Sequence, residues 1–332
     1  MRTAIIGTGF VAEIHAQILK GLGHEIAVVV NPTQKKATAF GEKWGATHAL
    51  KDLEAALKME LDTVHICTPP VSHVAIVKAC IEAGVHLFCE KPLAVDAKDA
   101  EDLYLLAQER NLIHALNFNN RFYAVCEQAQ QTINAEVFGS PYLIHGVYQQ
   151  EFHALPDYYT WRYQPEVAGP MRAVTEIGSH WIDLTRYWTG LEIKAVSATF
   201  GCFQPDRSLK DGLMTAAGQE ANLHITSEDA AVVSFRFNNS AMGNVLLSEV
   251  SHGRGNQLKL EVTSPINSIW WNSEHPYQLN TAQKFSGVIT QTSPFGHGFM
   301  GTFTDCMTAF YQDVEKGEAN PNPRYATFKD GA

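Results

Sequence analysis

The pattern of hydrophobic and polar positions changes rhythm once along this chain, near residue 121. Before that point, short apolar runs alternate with segments whose apolar residues recur every three to four positions. Thr3-Ala4-Ile5-Ile6 reads as a buried strand, and Val11, Ile14, Ile18, Leu19 and Leu22 mark one face of a helix stopped by Gly23. Further strands are predicted at Ile26–Val30, Thr63–Cys67, His86–Cys89 and Leu112–Leu116, with helices at Pro32–Trp44, Val71–Ala83 and Asp96–Arg110. Asp96 is suited to cap the last of these. Such alternation implies a parallel sheet with helices on both faces, so residues 1–121 are expected to form a doubly wound α/β domain. After it come a helix, Tyr123–Ala135, and runs of period-two alternation at Pro141–Gln149, Val196–Phe203, Ala230–Phe237, Met242–Val250 and Gln257–Val262. Asn238-Asn239-Ser240 is a hairpin signal. Successive strands without intervening helices predict a large, mostly antiparallel open sheet, and residues 122–332 are expected to form an α+β domain.

Chemistry enters at the strand ends. Gly7-Thr8-Gly9-Phe10-Val11-Ala12 joins the first strand to the first helix, the setting of a dinucleotide fingerprint. Gly7 permits the tight turn, Gly9 lets backbone approach a pyrophosphate, and Ala12 allows close packing of helix on sheet. The free N–H groups at the start of the helix, around Phe10 and Val11, face the phosphates. Two more strand ends face the same crevice, at Thr68-Pro69 and at Glu90-Lys91. Pro92 pushes Lys91 out of the helical region, and the bond between them is a place where a cis peptide forms. Lys91 is therefore expected to be aimed. At the end of the second strand, an acid would bind the ribose 2′-hydroxyl and favour NAD; here stands Asn31. With neither carboxylate nor arginine at that position, the sequence leaves NAD and NADP open.

In the second half, the helix predicted at Glu176–Trp188 places Glu176, His180, Asp183 and Tyr187 in one narrow sector, while Trp181, Leu184 and Trp188 cover much of the rest. Two carboxylates flanking a histidine suit a general acid/base, and a solvated face would show the same spacing. Gly178 in this helix would allow backbone to come close to a ligand. Upstream, Tyr158-Tyr159-Thr160-Trp161-Arg162-Tyr163 offers aromatic faces and one arginine, which fit a sugar ring, a nicotinamide edge or a packed loop.

Composition narrows the classes. At 332 residues, 45% hydrophobic and 18% charged, this is an ordinary globular chain of two domains or one large one. A net charge of −10 without a basic run argues against nucleic acid as partner. The six cysteines show no zinc spacing, so no metal site is expected, and they read as reduced thiols of a cytoplasmic protein. The first strand begins at Arg2, leaving no room for a signal peptide, and no apolar stretch approaches membrane-spanning length.

Together these motifs resemble the glucose-fructose oxidoreductase / inositol dehydrogenase / MocA-like family. The match rests on the glycine turn Gly7–Ala12, Glu90-Lys91-Pro92, the pair Trp161-Arg162 and the helix Glu176–Asp183. The resemblance implies a Rossmann domain with NAD or NADP, and a substrate-binding and oligomerising domain behind it. It implies hydride exchange between nicotinamide and a ring secondary alcohol or ketone of a sugar, glycoside or cyclic polyol. Lys91, His180 and Glu176 would be catalytic, with Asp183, Trp161 and Arg162 on the substrate. Gly7, Gly9, Phe10, Val11, Ala12, Asn31, Thr68, Pro69, Glu90 and Lys91 would hold the cofactor. The chain is expected to self-associate as a dimer or tetramer. Two departures stand out: Glu176 replaces the aspartate usual in the family, and relatives commonly continue into a further helix beyond Phe328–Ala332. On the same fold, a sugar- or dinucleotide-sensing regulator is the competing reading, and imine or biliverdin-type reduction is a third.

Overall fold

A computed structural model describes residues 1–157, 159–211, 213–216 and 221–332; every count of elements below refers to these, and Tyr158 of the aromatic cluster lies outside them. The chain divides into two compact units, Met1–Asn119 with Met300–Ala332, and Asn120–Phe299.

The first unit opens with β1 (Arg2–Ile6), α1 (Phe10–Gly21), β2 (Glu25–Val30), α2 (Gln34–Trp44), β3 (His48–Leu50) and α3 (Leu53–Leu57). It continues through β4 (Thr63–Ile66), α4 (His73–Glu82), β5 (His86–Cys89), α5 (Ala97–Glu109) and β6 (His114–Leu116). Its six strands are parallel in the order β3-β2-β1-β4-β5-β6. That order reverses direction between β1 and β4, the point at which open α/β sheets bind ligands. The three residues of β3 are too few to show a period, and the hydrophobic pattern does not find them or α3. Asp96 caps α5, accepting the backbone N–H groups of Lys98 and Asp99. Val28, Val64, Ile66 and Leu87 are fully buried in the sheet, each contributing on the order of 1.5–3 kcal/mol.

The second unit contains α6 (Ala124–Asn134), β7 (Leu143–Gln149), α7 (Pro165–Ala168), α8 (Ser179–Thr189) and β8 (Ile193–Gly201). Next come β9 (Asp206–Lys210), β10 (Leu213–Ala216), β11 (Leu223–His224), β12 (Ala230–Phe237) and β13 (Met242–Ser248). Last are β14 (Gln257–Thr263), β15 (Asn267–Asn272), β16 (Gln278–Gln283) and β17 (Gly287–Thr292). An eight-stranded sheet runs β17-β16-β15-β14-β7-β13-β12-β8, antiparallel throughout except where β13 lies parallel to β7. The hairpin predicted at Asn238-Asn239-Ser240 joins β12 to β13, with Arg236 opposite Met242. Ile133 of α6 and Trp181, Leu184 and Trp188 of α8 cover the inner face, packed on Phe235, Val245, Leu260 and Trp271.

The remaining helices, α9 (Phe299–Lys316) and α10 (Phe328–Gly331), correct the expected domain limits. Residues 122–332 are expected from the sequence to form one domain, yet Met300–Ala332 returns to the first unit. Side chains draw it there. Phe310 meets Phe88 edge-on, the Tyr311 hydroxyl lies 3.1 Å from Thr3 Oγ1, and the Phe328 N–H donates to His114 Nδ1. Both partners in each contact are far apart in sequence, which a reading by local rhythm cannot register.

One buried ion pair organises the start of the second unit. Arg121 donates through Nε to Asp183 Oδ2 at 2.9 Å and through Nη2 to Oδ1, and its guanidinium lies 5.0 Å from the Tyr187 ring centroid. Both charges are withdrawn from water. Breaking such a pair leaves a buried charge uncompensated, at about 3–5 kcal/mol. Asp183→Ala is therefore expected to lower the urea midpoint of this unit markedly, followed by tryptophan fluorescence because five of the six tryptophans lie in it. An unchanged midpoint would show that the pair is not structural.

Candidate active site

The carboxyl ends of β1, β2, β4 and β5 bring the first group of predicted residues to one edge of the parallel sheet. Gly7 has φ +104°, and a Cβ there would stand 2.5 Å from the Cys67 carbonyl oxygen. Only glycine fits. Gly9 precedes α1 with extended backbone, no side chain caps the first N–H groups of that helix, and a Cβ at Gly9 would meet nothing within 4 Å. Ala12 is fully buried against the sheet while Phe10 is 83% exposed. Asn31 holds the turn from beside it, donating through Nδ2 to Thr8 Oγ1 at 2.8 Å and accepting the Thr33 N–H at 2.9 Å. Open backbone donors at a helix N-terminus, with a turn that excludes side chains, fit the pyrophosphate of a dinucleotide.

The ends of β4 and β5 are tied together by His73, whose Nε2 lies 2.8 Å from the Thr68 carbonyl oxygen and whose Nδ1 lies 2.8 Å from that of Pro92. Ser72 Oγ donates to Thr68 Oγ1, fixing the Thr68-Pro69 turn. Lys91-Pro92 is cis. Beside it, Glu90 is buried and accepts from His15 Nε2 at 3.0 Å and from Asn117 Nδ2 at 2.5 Å. Burial pushes its pKa up, but the contacts with His15, Asn117 and Lys91 outweigh this and hold it below the usual carboxylate range.

In the second unit, the predicted helix begins differently from its pattern. Val174–Gly178 forms a widened π-type turn, in which the Ser179 N–H reaches back five residues to the Val174 carbonyl, and regular α8 follows. Glu176 lies in this turn and His180 in the first turn of α8. Both are half-buried and Asp183 is buried, so the stripe is not a solvated face. Arg162 Nε sits 2.8 Å from Glu176 Oε2, and its guanidinium lies 4.6 Å from the centroid of the Trp161 ring. Three predicted residues, Trp161, Arg162 and Glu176, are thus adjacent; Asp183, assigned to a substrate hydroxyl by resemblance, has its oxygens on Arg121. Gly178 does not approach a ligand as expected: a Cβ there would stand 2.6 Å from Leu247 Cδ1 of β13, so its role is helix-to-sheet packing.

Sequence reasoning missed the support beneath this helix. Glu228 accepts the N–H groups of Arg172 and Val174, the latter at 2.8 Å, and so caps the π-type turn. Arg172, almost wholly buried, donates through Nε to Glu249 at 2.9 Å and through Nη2 to Asp229, with its guanidinium 4.6 Å from the centroid of the Tyr163 ring. Burial pushes the Glu249 carboxyl up to about 8 despite Arg172, and Glu176 nearby adds to the rise. Burial also lowers His153 to about 4, with the Arg172 charge acting the same way; its Nδ1 lies 2.7 Å from the Tyr163 hydroxyl. The ring of Tyr148, a strand residue with its hydroxyl buried, lies 6.4 Å from that of His180. No local motif marks these residues, because each acts through a partner ten or more positions away.

Among the described residues, no group of three or more His, Cys, Asp or Glu is placed to hold a metal ion, and no helix is long and apolar enough to cross a membrane. Residues 1–118 match the family described as "Oxidoreductase family, NAD-binding Rossmann fold", and residues 126–264 match "GFO/IDH/MocA C-terminal domain". Levoglucosan dehydrogenase of Pseudarthrobacter phenanthrenivorans is 28% identical over 90% of this chain and 82% of its own length. Myo-inositol 2-dehydrogenase of Thermotoga maritima is 26% identical over 73% of this chain and 67% of its own. A solved structure of levoglucosan dehydrogenase in complex with NADH and L-sorbose superposes with a TM-score of 0.90 at 25% identity, covering 100% of this chain and 93% of that one. With the glycine turn, the cis Lys91-Pro92 tip and the Glu176–His180 helix in place, and with both domain families matched in order, the chain belongs to the GFO/IDH/MocA family of oxidoreductases with an NAD-binding Rossmann fold.

Proposed function

We propose that this protein is an NAD-dependent dehydrogenase that transfers hydride between nicotinamide and a ring secondary alcohol or ketone of a sugar, glycoside or cyclic polyol. The observation that carries this reading is Lys91, fixed at the tip of β5 by a cis bond to Pro92 and a buried Glu90, in a chain aligned over most of its length with a levoglucosan dehydrogenase. A sensor that had given up catalysis has no need of that lysine, and relatives that carry a named activity include levoglucosan and myo-inositol 2-dehydrogenases.

Gly7, Gly9, Phe10, Val11, Ala12, Asn31, Thr68, Pro69 and Glu90-Lys91 would hold the dinucleotide, which when bound supplies the hydride donor or acceptor. The ammonium of Lys91 hydrogen-bonds the reacting oxygen and stabilises negative charge as it develops there. His180 takes the hydroxyl proton as general base. Glu176, steadied by Arg162, orients His180, and Trp161 offers an apolar face to the sugar ring. Asp183 serves the site through Arg121, which it anchors.

The protein is proposed to self-associate. The outer face of the large sheet leaves Val232, Met242 and Leu246 exposed, and the edge strand β17 exposes Val288 and Ile289. The six free cysteines, five of them buried, suit the reducing cytoplasm.

Two outcomes test the site. NAD+ reduction is expected with at least one member of a panel of anhydrosugars, glycosides and inositols. Lys91→Met and His180→Ala should each lower kcat by about 10²-fold or more while the fold and NADH binding persist; near wild-type turnover in either variant rejects its role. The second concerns pH. Glu249 has a folded pKa of about 8, above the roughly 4.3 of an unfolded glutamate, so the folded state holds the extra proton between them. Its contribution to stability is full below the unfolded value and lost as pH rises through the folded one. The urea midpoint of Glu249→Gln should therefore rise relative to wild type from about pH 4 to pH 8 and level off above that. Parallel curves would mean that Glu249 is ionised throughout.

A further inference from the structure

Behind the Lys91 tip, a file of buried side chains crosses the first unit. Tyr311 of α9 places its hydroxyl 2.9 Å from His65 Nε2; His65 Nδ1 lies 2.8 Å from His15 Nδ1; and His15 Nε2 lies 3.0 Å from Glu90 Oε1. At the far end, the Tyr311 oxygen is 3.1 Å from Thr3 Oγ1 and 3.0 Å from Thr63 Oγ1. His15, His65, Thr3 and Thr63 have no exposure to water at all.

The hydrogens can be assigned by elimination. An ionised carboxylate only accepts, so His15 carries its proton on Nε2 and donates to Glu90. With one proton on each imidazole, the other nitrogen of His15, Nδ1, is a lone pair and His65 presents Nδ1–H to it. His65, held neutral chiefly by burial, has its lone pair on Nε2, so the Tyr311 hydroxyl donates to it. A threonine hydroxyl completes the series by donating to the Tyr311 oxygen. Every donor in the file points towards Glu90. Hydrogen bonds aligned in this way polarise one another in a medium of low dielectric, and the last of them meets a charge.

We propose that His15 is a positioning residue for hydride transfer, the terminal donor of a one-directional file from Tyr311 through His65 that fixes the Glu90 carboxylate and thereby the placing of Lys91. This rests on the reading of Lys91 as catalytic. It also gives α9 a function, since the residue that starts the file comes from the carboxyl-terminal segment. Mere filling of the core would explain the burial of two imidazoles, but not an unbroken run of hydrogen-bond contacts from Tyr311 to Glu90.

Two measurements test it. In protein carrying 15N-labelled histidine, His15 is expected as the Nε2–H tautomer and His65 as the Nδ1–H tautomer, both with slowly exchanging ring protons. The reverse assignment, or the Nε2–H form at both, overturns the file whatever Lys91 does. In kinetics, His15→Leu should lower kcat about tenfold or more, with KM for NAD+ and the NADH dissociation constant within about threefold, since a displaced catalytic group costs rate before binding. His15→Gln keeps an N–H for Glu90 and an acceptor for His65, and should recover kcat to within about threefold of wild type. Equal losses in the two variants, or none in His15→Leu, overturn the positioning role. Lys91→Met separates the two readings: if it retains turnover while the tautomers stand as assigned, the assignment of Lys91 fails and the file survives as structure alone.

Discussion

A carboxylate shut away from water next to the lysine of a strand tip is the constraint on which the first unit turns. Glu90 is ionised in a place where ionisation is costly, and its charge is met by His15, Asn117 and Lys91. Those partners come from α1, from the end of β6 and from the next residue of the chain, so the acid gathers three separate pieces of backbone around the cofactor edge. The cis Lys91-Pro92 bond and the clasp of His73 between Thr68 and Pro92 complete the same corner.

The second unit answers an equivalent problem with an arginine at its centre. Arg172 is surrounded by Asp229 and Glu249, while Glu228 takes up the free N–H groups at the start of the π-type turn. The turn shifts Glu176 relative to the regular spacing of α8 and brings it to Arg162. π-type turns recur at functional sites because the extra residue re-aims one side chain without ending the helix. Burial, with the charge of Glu176 adding to it, outweighs the pull of Arg172 and Arg162 and explains why Glu249 holds its proton to about pH 8.

Much of this was legible in the chain. The glycine turn, the β5 tip and the alternation of strand and helix are short-range features, and they were readable because hydrophobic period and turn chemistry act over a few residues. The spacing of Glu176 and His180 and the position of Lys91 before Pro92 are local features of the same kind. Other elements left no local trace. The parallel pairing of β13 with β7 joins segments about a hundred residues apart, and β3 is too short to show a period. The histidines at 15 and 65 carry no local signal, because their partnership exists only once α1 lies across β4 and β5.

What the sequence alone determined was the order of elements, the fold class of each half and the residue types at the strand tips, all consequences of periodicity and backbone sterics over short range. What only the tertiary structure decided was which buried charges neutralise one another. Arg121 claims Asp183, Arg162 claims Glu176, and α9 returns to the first unit to supply Tyr311. Electrostatic pairing in a dry interior is settled by distance in space, and sequence separation carries no information about that distance.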